Sequence, residues 1–90
     1  MTFDQWADGI CNRVCEILPG VDVKRTVDEI YRWIAAGKEC QVHALSDSTA
    51  AFVVLKREGA LTNCSFSCRV AIAGASQEEV AQRIIGVFAG

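Results

Sequence analysis

Phe3, Trp6, Ile10, Val14, Ile17 and Leu18 recur at helical spacing along the first eighteen residues, so they share one face of a helix. Thr2 followed by Gln5 forms a capping-box pattern, a hydroxyl that holds an orphan N–H and an amide that reaches back. Pro19-Gly20 stops this helix. A second helix is predicted after it, with Asp22 or Thr26 as its cap and Val23, Val27, Ile30, Tyr31 and Ile34 on one face. Thr26 to Glu29 reads as its capping box, and Gly37 is placed to end it in the left-handed conformation.

From Glu39 the period changes to two. Cys40, Val42 and Ala44 alternate with Gln41 and His43, and Ser46-Asp47-Ser48 supplies a turn. Ala50 to Lys56 is apolar on both faces, as in a central strand, and its buried parity is open. Arg57-Glu58-Gly59 turns the chain again. In the third strand Thr62, Cys64, Phe66, Cys68, Val70 and Ile72 point one way, and Asn63, Ser65, Ser67 and Arg69 the other. Ser76 and Glu79 then form a capping box for a last helix lined by Val80, Ala81, Ile84, Ile85 and Phe88. The expected fold is α+β in the order α-α-β-β-β-α, one domain over residues 1–90. Its helices pack on one face of an antiparallel three-stranded meander.

Composition supports a folded domain. The chain has 90 residues, 51% of them hydrophobic and 22% charged, close to the globular norm. Size scaling gives a folded surface of roughly 5,200 Å². Nine Lys and Arg against eleven Asp and Glu leave a net charge of −2, which argues against a polyanion-binding surface over the whole molecule. Met1 to Asp8 carries two acids and no basic residue, unlike a secretory or transit signal. Residence in a reducing cytoplasm is the expectation, with no membrane partner.

The five cysteines are then expected as free thiols used for packing. Cys11 and Cys15 are four apart, as are Cys64 and Cys68, and neither pair makes a zinc knuckle. His43 is the single histidine and is expected as a surface imidazole. There is no GxSxG elbow, HExxH, P-loop or GxGxxG. No catalytic residue, metal ligand or resident cofactor is assigned.

Helix–βββ–helix from the second helix onward resembles the order of a double-stranded-RNA-binding domain. Gln77, Glu78 and Glu79 stand where that family presents lysines to phosphate, so no nucleic-acid partner is expected. Three further stretches resemble the GNAT acetyltransferase fold, in particular short GNAT-like proteins of tailed phages. They are Asp28 to Lys38 with its A-G-K turn, the meander from Cys40 to Ala73, and Ile72-Ala73-Gly74 opening the last helix. The resemblance implies a phage accessory protein or a minimal acyl-coenzyme A-dependent transferase. In the latter, Gly74, Ala75, Ser76 and Gln77 would hold the cofactor pyrophosphate. Gly74 is the residue that matches that family's loop pattern.

The residues themselves point toward contact with another protein. Asn63, Ser65, Ser67 and Arg69 make a polar sheet face that helices on the other side leave open. Trp33 beside Arg32 is a candidate interface anchor. The outer strands have unpaired edges that invite strand addition or self-association. The expected function is a small non-enzymatic accessory protein that binds a partner or itself through these residues.

Overall fold

An apolar helical stripe needs a surface to bury against. In the computed structural model, which describes residues 1–89, both helices find it on one face of a single sheet. The elements are α1 (Phe3–Ile17), β1 (Asp22–Thr26), β2 (Ile30–Ala35), β3 (Lys38–Ala44), β4 (Thr49–Glu58), β5 (Leu61–Ala71) and α2 (Gly74–Ala89). The strands form an antiparallel meander, β1 to β5 in spatial order. The accessible surface is 5192 Å², matching the size expectation.

The first helix forms where it was expected, but its buried stripe ends at Val14: Ile17 is 41% exposed and Leu18 is the C-cap. Thr2 and Gln5 make the reciprocal capping box, and Phe3, Trp6, Ala7, Ile10 and Val14 are buried. Helix α2 buries Val80, Ala81 and Ile84. Against them lie Tyr31, Trp33, Cys40, Val42, Ala50 and Phe52, which resolves the parity of the middle strand. Trp6 Nε1 donates to Ser76 Oγ at 2.9 Å, and Gln77 Nε2 donates to the Trp6 carbonyl at 3.2 Å. Gly9 permits this close approach, since a Cβ there would meet the Gln77 amide. The last turn of α2 has no basic residue of its own. Lys38 of β3 supplies one, its Nζ donating to the Val87 carbonyl at 3.1 Å.

The predicted second helix is a β-hairpin, and the sheet has five strands where three were expected. Val23, Val27, Ile30, Tyr31 and Ile34 do not share a buried face. Val27 is 95% exposed at the loop tip, while Tyr31 and Trp33 alternate inward between Ile30, Arg32 and Ile34. Residues 21–34 are rich in β-branched and aromatic types, which favour strands and lose rotamer freedom in helices. The Thr26–Glu29 capping pattern is instead a three-residue loop in which Glu29 takes φ 58°, the arrangement of a type I turn closed by a left-handed residue.

Gly37 does adopt the left-handed conformation, at φ 78°, but it closes the β2–β3 hairpin together with Ala36 at φ 50°. Two positive φ values define a type I′ turn, whose favoured sequence is Asn-Gly. Ala36→Asn is expected to raise the unfolding free energy by about 0.5–1 kcal/mol, because alanine is strained in this region. Urea denaturation followed by circular dichroism checks it. A lowered midpoint would contradict the turn.

Candidate functional site

With both helices on one side, alternate residues of every strand face outward on the other. The register arranges them in rows. Lys24, Arg32, Gln41, Val53 and Ser67 lie across one row, and Thr26, Ile30, His43, Ala51 and Arg69 across the next. Asp22, Ile34, Glu39, Leu55 and Cys64 make the third. The column on β3 is wholly polar. On either side Ile30 and Ile34, and Ala51, Val53 and Leu55, give half-buried apolar strips.

The polar column is a chain of hydrogen bonds. Arg32 grips Glu39 with two parallel bonds, Nε to Oε2 at 2.9 Å and Nη2 to Oε1 at 3.0 Å. Gln41 Nε2 also donates to Glu39 Oε2. Its carbonyl oxygen lies 2.6 Å from His43 Nε2. A carboxylate only accepts, so Gln41 must turn its NH₂ toward Glu39 and its oxygen toward His43. The His43 Nε2–H is thereby the donor to Gln41.

Glu39 is 8% exposed on a face that no helix covers. The Arg32 guanidinium holds its carboxyl below the usual glutamate range against the opposing effect of burial, with Gln41 assisting. Glu39 in turn raises the Arg32 pKa. This pair is neutral as a unit. Lys24, Arg57 and Arg69 also face this side and make no ion pair among the described residues. Asp22 is the remaining carboxylate. The face is therefore net positive on a chain whose net charge is −2.

The residues singled out from sequence divide among three places. Arg32, Ser67 and Arg69 lie on the open face. Trp33 does not: it is fully buried against the helices, so it belongs to the core and presents no interface anchor. Asn63 and Ser65 part from Ser67 and Arg69 because β5 carries an extra residue between the pairs Val54–Phe66 and Leu55–Cys64. This bulge moves Asn63 opposite Lys56, on the helix side, and brings Cys64 to the open face. The Ser65 hydroxyl is bonded to the Val54 carbonyl.

Gly74 and Ala75 are exposed at the start of α2. Ser76 and Gln77 spend their side chains on Trp6. The Ser76 hydroxyl also reaches the Ala71 and Ala73 carbonyls from inside the helix, so it is no N-cap.

The cysteines are unpaired, and they are not uniformly core. Cys40 is buried, Cys11 and Cys68 are half-buried, and Cys15 and Cys64 are exposed. Among the described residues no group of three or more His, Cys, Asp or Glu is arranged to hold a metal. A surface concavity of about 420 Å³ lies beside the N-terminus, with Asp4, Glu29 and Asp47 on its walls. Among the described residues no helix is long and apolar enough to cross a membrane.

Fold and face together define a small α+β protein with two helices on one side of a five-stranded sheet and a charged, partly apolar face on the other. No protein-family model, curated protein or solved structure matches the chain.

Proposed function

We propose that the protein acts by contact, docking an acidic segment of another protein on its open sheet face. The observation that carries this reading is the composition of that face. Half-buried Ile30, Ile34, Val53 and Leu55 flank a pre-ordered polar column, and three cations have no partner of their own among the described residues. Apolar strips supply area to bury, and the fixed charges supply orientation. An occupant with carboxylates spaced among apolar side chains satisfies both.

The test is co-purification on a tagged chain from its native host, comparing two variants that add the same charge. Val53→Glu puts a carboxylate in the middle of the open face, and Asn12→Glu puts one on exposed α1. A stoichiometric partner lost with Val53→Glu, kept with Asn12→Glu and weakened by added salt is the expected result. A partner retained by Val53→Glu, or lost equally with Asn12→Glu, contradicts the reading.

A further inference from the structure

The two edges of the sheet are built differently, and the difference can be read from the direction of their backbone groups. In an antiparallel ladder successive residues point their N–H and C=O groups alternately to one neighbour and then the other. Ile72 N donates to the Ser48 carbonyl at 2.9 Å, and the register continues through Ala50–Val70, Phe52–Cys68 and Val54–Phe66. These even-numbered residues are therefore bonded between β4 and β5. The other side of β4 agrees. Leu45 N donates to Thr49 O and Arg57 N to Gly37 O, which assigns the odd-numbered residues of β4 to β3.

Ser67, Arg69 and Ala71 consequently direct their backbone groups away from the sheet. On β1 the same parity leaves only Val23 and Arg25 pointing outward. That strand has five residues, three of them the charged Asp22, Lys24 and Arg25. Short length and charge are the usual protection of an edge. Strand β5 has eleven residues, and Arg69 is its single charge. It also leaves Phe66 40% exposed beside a groove lined by Phe52, Val54 and Val87, with the Arg83 guanidinium 5.3 Å from the Phe66 ring centre.

We propose that a second copy of this chain pairs antiparallel along β5, about a two-fold axis through Cys68. The choice of occupant and register follows from the strand itself. An axis on Arg69 would set two guanidinium groups against each other. An axis on Phe66 or Ser67 would run the pairing through the Ser65 bulge. An axis on Cys68 keeps five consecutive pairs, Phe66 to Val70, inside the regular run Phe66–Ala71. It makes Ser67 and the partner's Arg69 a hydrogen-bonded pair, twice by symmetry. On the helix side it lays Phe66 against the partner's Val70, covering the exposed ring. Such an interface is self-complementary and closed. It joins two five-stranded sheets into one, with the two open faces side by side.

Sedimentation equilibrium tests this without any other protein present. The wild-type chain is expected at twice its 9.8 kDa mass at high micromolar concentration. Ser67→Lys, which faces the partner's Arg69, should weaken the dimer about tenfold through two opposed like-charge pairs. Adding Arg69→Glu in the same chain should restore it, because each introduced ammonium then faces an introduced carboxylate across the two-fold axis. Ser67→Pro should give a monomer with an unchanged far-UV spectrum, since the N–H it removes is not bonded to β4.

A wild-type chain that stays at 9.8 kDa overturns the proposal. So does a Ser67→Lys dimer as tight as wild type, or a double variant that fails to recover. Co-purification with the Ser67→Lys chain separates this from the docking proposal: a retained partner on a monomeric chain supports both.

Discussion

Trp33→Ala is expected to lower the unfolding free energy by about 3–5 kcal/mol, a large share of what a small domain has. Trp33 is wholly buried. It pairs with Cys40 across the ladder and stacks near Tyr31, with ring centres 6.3 Å apart. Truncation leaves a cavity between sheet and helices that rigid strands cannot close. Trp33→Phe should cost far less, because the Trp33 Nε1 has no hydrogen-bond partner among the described residues and its removal relieves an unsatisfied donor. Trp6→Phe is the contrasting case, since it breaks the bond to Ser76 that ties α1 to α2. Urea denaturation of the three variants by far-UV circular dichroism orders them. An unchanged midpoint for Trp33→Ala would place that side chain on a surface and contradict the hairpin.

The second large effect is loss of stability at alkaline pH. Burial pushes the Cys11 and Cys40 thiols up to about 12, with Asp8 and Glu39 respectively adding to the shift. Tyr31 is raised as well, first by burial and then by its bonds to Asp8 and Asp4 at 3.0 and 3.1 Å. Each group holds its proton more tightly folded than unfolded. The stability it contributes is complete below the unfolded value, about 8.5 for a thiol and about 10 for tyrosine, and is lost as pH rises toward the folded one. Each thiol gives a slope of about 1.4 kcal/mol per pH unit within that window. Between pH 9 and 11 the two together remove about 3–5 kcal/mol, discounted for the half-exposure of Cys11. Under reducing conditions the unfolding midpoint should fall steeply over this range, and less steeply in Cys40→Ala. A midpoint that stays level from pH 8 to 11 would contradict the buried thiols.

The sequence made legible those elements whose local chemistry agrees with their packing. Thr2 and Gln5 marked the start of α1 because a capping box is a property of four residues. The strands from Cys40, Ala50 and Thr62 were legible because they are rich in apolar, β-branched and alternating positions and their turns carry Ser, Asp and Gly. Residues 22–35 misled because five apolar side chains fall at helical intervals by coincidence, while the true alternation is carried by Tyr31 and Trp33 between Ile30, Arg32 and Ile34. Arg32 and Ile34 are then outward residues, so the β1 and β2 part of the open face was hidden with the hairpin. The polar column of β3 left the signal Glu39-x-Gln41-x-His43, but its partner Arg32 is revealed only by the β2–β3 pairing. The bulge at Ser65 left no signal, since a flip of parity needs a neighbouring strand to define it.

The open face has its full five-strand width only if residues 22–35 are two strands, and nuclear Overhauser contacts decide that directly. In the antiparallel β1–β2 ladder the non-hydrogen-bonded pairs are Val23–Trp33 and Arg25–Tyr31, where Cα atoms approach to about 4.5 Å. Strong Hα–Hα cross-peaks are expected for both pairs, with no succession of amide–amide contacts from Asp22 to Ala35. Absence of the two cross-peaks, with sequential amide–amide and i to i+3 contacts through the same residues, would show a helix. The open face would then lose Lys24, Ile30, Arg32 and Ile34 together.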